Sequence, residues 1–437
     1  MELMNKDLLT LKINMTKDSI SFKQDPALVA AINKLCSRND APSVPSLLPQ
    51  RKLDFDEVQR LLKPAVVNKV DSEQITQQKG NENKVIIIRK IEGILKDIDN
   101  SAERGVSPRL VLRNQRLWSN CIYSLDRVTL KSMRNAKTTT LVYSNNEDKS
   151  RFNMIVFVLT KIHELLTKNI TVTRRELFYQ NVSRFVSQIK LDTAVRDACC
   201  LLETTPWSLG VVATAKGLIA GPIKMYNRDS SVLDCNVAGG TLIPQDIVGI
   251  TKFETTAKYI LLVEKDAIFQ KLLDEGALIR LGPVILLTGK GYPDVCTRQL
   301  LYRLVSELRL RALALVDADP HGYEIYLTYK YGSLAQSHLS DSLACTSLLL
   351  LGARYQDLMT LVPTAARLAL TALDRRKLAA LINRPYLNTP TGDPIKEDLK
   401  RMLERGLKAE LEAVVPYSVA MSDSYIPSKI IAADFLG

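Results

Sequence analysis

Residues 259–264 read YILLVE, 283–288 PVILLT and 311–317 RALALVD, and these three runs decide the fold of the C-terminal half. Each is a short, uninterrupted apolar stretch ending on a polar or charged residue. Uninterrupted rather than alternating hydrophobicity marks strands covered on both faces. The intervening DAIFQKLLDEG (266–276) and PDVCTRQLLYRLVSEL (293–308) carry helical apolar spacing. Strands alternating with helices predict an α/β domain on a parallel sheet, with its sites at the carboxyl ends of the strands. Glu264 directly follows the first run, and Asp317 and Asp319 follow the third, so all three carboxylates are expected at one sheet edge. A lone carboxylate at a strand end is ordinarily a helix cap or a solvated loop residue. Three at one edge repel one another unless something positive compensates, and hard oxygen ligands without neighbouring His or Cys select Mg²⁺. A magnesium site on Glu264, Asp317 and Asp319 is the expectation.

The chain has 437 residues, 46% of them hydrophobic, which suffices for two or three cores and excludes a wholly disordered protein. Its 59 Lys+Arg against 47 Asp+Glu leave a net charge of +12, favouring anionic polymers or surfaces as partners. No apolar run approaches the roughly 18 residues of a bilayer span, and residues 1–20 lack the basic and apolar regions of a secretory signal. The expectation is a soluble intracellular protein with no membrane contact. Seven cysteines without a C-x-x-C pair suggest neither a zinc finger nor a disulfide framework, and Cys199-Cys200 reads as a buried pair of small apolar side chains. Three histidines, His163, His321 and His338, disfavour a zinc enzyme or a His-based triad. LTGKGYPD (287–294) contains Gly289-Lys290 but lacks P-loop spacing, so no ATP site is expected.

Upstream, residues 1–84 read as a partly ordered N-terminal extension, with a Pro/Ser-rich loop at 37–52 and a polar linker at 71–84. From residue 85 to about 117 the apolar spacing is helical. Residues 101–224 hold 19 Lys+Arg against 9 Asp+Glu, so this window carries +10 of the +12. Within it, residues 137–169 predict a short strand, a loop and an amphipathic helix, and Thr173 with Glu176 three residues on is a capping-box signature that starts a helix. SLGVVATAKGLIAGPI (208–223) predicts two β segments around a tight turn. Basic helices followed by such a wing are the pattern of a winged-helix DNA-binding domain, assigned to residues 85–224. Residues 225–250 read as an interdomain connector. In the tail, ALDRRKLAALINR (372–384) and EDLKRMLERGLKAELEAV (397–414) read as helices.

Tyr179, in TVTRRELFYQNVSRF (171–185), is by itself an ordinary helix aromatic. As a nucleophile it needs cationic help, because a phenol ionises near pH 10. Arg175 lies one turn earlier on the same helix face, with Arg174 adjacent. A guanidinium stays charged and can stabilise either a phenolate or charge developing on a phosphate.

Taken together, these segments resemble the topoisomerase VI A-subunit family, which includes the meiotic DNA double-strand-break transesterase. TVTRRELFYQNVSRF resembles the family's active-site segment, which implies catalytic roles for Tyr179 and Arg175. YILLVEKDAIFQKLL, LLTGKGYPDVCTRQLLYRL and LALVDADPHGYEIYLTYKYGS resemble its Toprim metal domain, here residues 251–437 with a helical C-terminal part, and put the metal ligands on Glu264, Asp317 and Asp319. The stretch 208–223 resembles its wing. The similarity covers roughly residues 85–437 and departs at Pro206-Trp207, where the family pattern has a basic residue.

The resemblance implies an α+β multi-domain fold, a winged-helix (CAP-like) domain followed by an α/β Toprim domain with a parallel sheet. It implies attack of Tyr179 on a DNA phosphorus with Mg²⁺ nearby, leaving a 5′-phosphotyrosyl link and a free 3′-hydroxyl. Double-stranded DNA would be the partner, with Arg174, Lys216, Lys290 and His321 as DNA-binding candidates. Also implied are a site composed from two protomers, a nuclear location, accessory recombination proteins, and a homodimer or a heterotetramer with a topoisomerase VI B-like subunit. VEKDAIFQ, DADPHGYEI and KYGS are most similar to the eukaryotic meiotic branch. The alternative is a true topoisomerase VI A-subunit that reseals DNA with an ATPase B-subunit. On the residues alone, a non-enzymatic winged-helix regulator and a Toprim nuclease or primase stay open.

Overall fold

The computed structural model describes residues 25–37 and 72–437, apart from 116, 124–126 and 416–417, with side chains in the helix over 72–103 described from residue 83. Nearly all of the loop read at 37–52 lies outside the described residues. Helix α1 (Pro26–Ser37) seats Leu28, Ile32 and Leu35 on the C-terminal core. The stretch 71–84 is no linker beyond Asp71: it begins α2 (Ser72–Glu103). Its Gln, Glu and Lys residues are good helix formers and no proline interrupts them. That helix stops well short of residue 117, and β1 (Arg109–Arg113) follows, paired antiparallel with β2 (Thr138–Val142).

Helix α3 (Asn146–Lys168) is capped by the Asn145 side chain, which accepts from Glu147 N, and ends at Asn169 in the left-handed region. Its inner face (Phe152, Ile155, Val158, Leu159, Ile162) forms one core with Ile87 and Ile91 of α2 and with α5 (Gln188–Leu202), which supplies Leu191, Val195 and the buried Cys199. Cys200 is buried beside it, as expected. Between α3 and α5 run β3 (Val172–Thr173) and the short α4 (Arg174–Tyr179).

The stretch 208–223 does not fold back on itself as a wing. β4 (Val211–Val212) pairs in parallel with β3, whereas β5 (Leu218–Ala220) crosses to the second unit and pairs antiparallel with Leu286–Thr288. The crossing needs close backbone approach. Gly221 has φ +132°, and a Cβ there would stand 2.5 Å from the Val284 carbonyl oxygen. Nor are residues 225–250 a connector. Ile223–Asn227, Val232–Asp234 and Ile250–Thr255 build a three-stranded antiparallel sheet, and β6 (Thr241–Leu242) edges the main one.

The main sheet has the order β6-β5-β8-β7-β9-β10, where β7 is Tyr259–Val263, β8 Val284–Thr288, β9 Arg311–Leu315 and β10 Leu349–Gly352. The last four are mutually parallel, as expected, and β5 and β6 add an antiparallel edge. Ile260 and Leu262 face one core while Tyr259, Leu261 and Val263 face the other, so burial on both faces explains the continuous apolar runs. Helix α6 (Asp266–Asp274) packs on the second face and α7 (Val295–Leu308) on the first. Helix α8 (Pro320–Tyr331) follows β9; α9 (Ala372–Ile382) and α10 (Asp393–Arg405) are the expected tail helices. The second ends at Gly406, φ +69°, so residues 407–414 do not continue it as expected: Leu407–Lys408 is a strand paired with Leu368–Ala369, Ala409 bridges to Ala318 at the sheet edge, and only a short 3-10 turn follows at Leu411–Ala413. No described helix is long and apolar enough to cross a membrane.

Candidate active site

Parallel register fixes the carboxylates. Val263 lies opposite Thr288 on one side and Leu315 on the other, so Glu264 and Asp317 leave the sheet at the same edge. Glu264 Oε2 accepts from Asp317 N at 2.9 Å, and its backbone oxygen accepts from Thr288 Oγ1 and Gly291 N. Asp317 is buried; its Oδ1 accepts from Leu411 N at 2.9 Å and its Oδ2 lies 3.0 Å from Lys265 Nζ. Asp319 caps α8, taking a hydrogen bond from Gly322 N at 2.6 Å, and a Cβ on that glycine would lie 3.0 Å from Glu264 Oε2. The three carboxylates therefore lie at one edge of the sheet.

Burial first, then the Asp317 and Asp319 charges, push the Glu264 carboxyl well above its usual range; burial likewise raises Asp317 despite Leu411 N and Lys265. Among the described residues no three His, Cys, Asp or Glu side chains are placed as a ready-made metal cage. The donor chemistry nonetheless suits a hard divalent ion, since Glu264, Asp317 and Asp319 offer only carboxylate oxygens, with no His or Cys among them.

Around this edge the structure gathers the other C-terminal candidates. Lys216 Nζ donates to the Lys290 carbonyl at 2.9 Å, and Lys290 Nζ pairs with Asp266 at 3.0 Å. His321 Nδ1 is 3.1 Å from the Tyr292 hydroxyl. Residues that the sequence did not single out complete it. Lys265 bridges Asp317, Glu410 and Glu412. Glu324 takes Lys377 and Tyr292 OH at 2.5 Å each and also pairs with Arg384. Lys265 was findable from its place beside Glu264; Glu410 and Glu412 sat in a stretch whose spacing read as helix.

Tyr179 stands apart from these groups. The Thr173 side chain accepts from Glu176 N at 3.0 Å and starts α4, Leu177 anchors it in the core, and Tyr179 ends it with its side chain 71% exposed. Arg175, one turn earlier, is exposed too. Arg174 turns inward to Asp192 at 3.5 Å and lines the seam beside Pro206, Trp207 and Gln299. Among the described residues no hydrogen bond or ion pair is recorded between Tyr179 or Arg175 and the three carboxylates.

Two family models match. The Toprim-domain model of the topoisomerase 6 A-subunit and Spo11 covers residues 259–430, and the type IIB DNA topoisomerase model covers 150–211. The human meiotic recombination protein SPO11 is 34% identical over 348 residues, spanning 79% of this chain and 87% of the relative. The chain belongs to the topoisomerase 6 A-subunit/Spo11 family. Other members match over similar spans. The Drosophila melanogaster meiotic recombination protein W68 is 37% identical, over 66% of this chain and 85% of its own. The DNA topoisomerase 6 A-subunit of Arabidopsis thaliana is 33% identical, over 74% and 75%. The family's Toprim match takes in all three carboxylates with Lys265, Glu410 and Glu412, and its topoisomerase match takes in Arg175 and Tyr179.

Proposed function

We propose that the protein makes DNA double-strand breaks in meiotic recombination by a topoisomerase-like transesterification. The observation that carries this reading is the exposed Tyr179, one helical turn after the exposed Arg175, in a chain whose second unit gathers three carboxylates at one sheet edge. The Tyr179 oxygen forms a bond to phosphorus, the bond from phosphorus to the 3′ oxygen breaks, and the phenolic proton ends on that 3′ oxygen. One phosphodiester replaces another, so neither water nor ATP is consumed. Arg175 stabilises the phenolate and the charge on the pentavalent phosphorus. Glu264, Asp317 and Asp319 would hold Mg²⁺, which supplies charge stabilisation for the scissile phosphate and leaving oxygen.

In this reading the protein is nuclear, and the basic helices of its N-terminal unit, without the expected wing, bind the DNA. Lys216, Lys290 and His321 line the DNA path at the sheet edge, while Arg174 is tied to Asp192 and supports α4 from behind. Within the chain Tyr179 makes no hydrogen bond to the carboxylates among the described residues, which suits a two-fold dimer in which each tyrosine meets the partner's metal site, giving one site per strand. Accessory recombination proteins and a B-type subunit would complete the assembly. The matching plant topoisomerase supports a second reading, a cutting and resealing A-subunit. Denaturing capture of covalent protein–DNA tests the chemistry: wild type is expected to yield adduct and Tyr179→Phe none while still binding DNA. An adduct from Tyr179→Phe overturns the assignment. Relaxation of supercoils on adding a B-subunit would favour the second reading.

A further inference from the structure

We propose that Lys265 is a tethered stand-in for the divalent ion. Its ammonium holds Asp317 in the metal-free protein, yields to Glu410 and Glu412 when the ion arrives, and so sets the affinity of the site. This inference rests on the metal-binding reading above and adds a competitor to it. Both Asp317 oxygens are engaged, Oδ1 by Leu411 N at 2.9 Å and Oδ2 by Lys265 Nζ at 3.0 Å. The first contact comes from a backbone amide that cannot leave without moving its loop. The second comes from a flexible side chain carrying a compact charge. An ion that uses Oδ2 must therefore replace the ammonium.

Lys265 is placed to yield. Its Nζ is already 3.2 Å from Glu410 and 3.0 Å from Glu412, so it keeps two charged partners on leaving Asp317. The segment carrying those glutamates is pinned to the site, because Ala409 N donates to the Ala318 carbonyl at 3.1 Å and Leu411 N to Asp317. Acceptors and metal ligands thus form one unit. The ammonium also offsets the charge of buried Asp317, a carboxylate that would be strongly unfavourable with no cation beside it.

The test is calorimetric titration of Mg²⁺ into the full chain, as wild type, Lys265→Gln, Glu410→Gln/Glu412→Gln and the triple variant. Lys265→Gln is expected to bind Mg²⁺ about tenfold tighter or more, because a unit positive charge is removed from beside the ligands. The glutamate pair variant is expected to bind several-fold more weakly, roughly the loss of the alternative acceptors, and to have little effect once Lys265 is gone, since its influence runs through that lysine. Repeating the titrations in molar salt, where the screening length is about 3 Å, removes long-range field effects and should preserve the Lys265→Gln gain. Unchanged or weaker binding by Lys265→Gln, or a full glutamate effect in its background, overturns the stand-in role and leaves the metal reading intact. Absence of Mg²⁺ binding to every form overturns both. Should Lys265→Gln fail to fold, the glutamate pair variant in molar salt decides, with unchanged affinity refuting the proposal.

Discussion

A single methyl group at Gly322 tests the geometry of the carboxylate edge. A Cβ built there would stand 2.4 Å from the Asp317 carbonyl oxygen, 2.9 Å from its nitrogen and 3.0 Å from Glu264 Oε2. The first two are backbone atoms of the loop bearing Asp317 and Asp319 and cannot swing aside. Forcing the methyl in should cost about 1–3 kcal/mol, against a gain of at most about 1 kcal/mol from alanine's helix preference. Gly322→Ala should therefore lose about 1–2 kcal/mol, which lowers the melting temperature of a unit this size by about 2–8 °C. Gly93, in α2, supplies the control, because nothing lies within 4 Å of its virtual Cβ. There the helix preference stands alone, and Gly93→Ala should stabilise by about 0.5–1 kcal/mol. Scanning calorimetry of the full chain reads both. A Gly322→Ala protein melting at or above wild type would show that α8 does not approach Asp317 this closely.

Three further outcomes are expected. Arg151 binds buried Asp197 through two hydrogen bonds of 2.8 and 3.0 Å, so Arg151→Ala should cost about 1–3 kcal/mol in denaturant unfolding, whereas a neutral result would mean the carboxylate finds water. Burial pushes Glu324 up, but Lys377, Tyr292 and Arg384 outweigh it and bring its pKa down to about 2 from 4.5. A depressed carboxyl stabilises above its unfolded pKa and loses that contribution as pH falls, so the stability gap between wild type and Glu324→Gln should close between pH 4.5 and 2; parallel acid profiles would refute the network. Mg²⁺ at about 100 times its dissociation constant should add about 2.7 kcal/mol to wild type. Asp319→Asn should lose most of that gain in a thermal melt, and an equal gain in both would remove Asp319 from the ligand set.

Local patterns carried the central part of the fold. YILLV, VILLT and RALAL became adjacent parallel strands because a strand buried on both faces has no polar side to alternate with, and the carboxylates one, two and four residues beyond them had to share an edge. The Thr173 cap was equally local, since its partner amide lies three residues away. Legibility failed where pairing partners lie far apart in the chain. Nothing in LIA (218–220) says that it abandons Val211–Val212 for Leu286–Thr288, and nothing in 407–414 says that it returns to the site.

By itself the sequence determined the three parallel strands and the helices between them, the shared edge of Glu264, Asp317 and Asp319, and the helix that Thr173 starts and that carries Arg175 and Tyr179 one turn apart. Only the tertiary structure decided what compensates those charges: Leu411 N reaches Asp317 across 94 positions, and Glu410 reaches Lys265 across 145. Periodicity reports which face of an element is apolar, over a few turns or residues. The electrostatics of a buried site depends on which charges are brought within about 4 Å of one another, and that distance is set by packing of the whole chain.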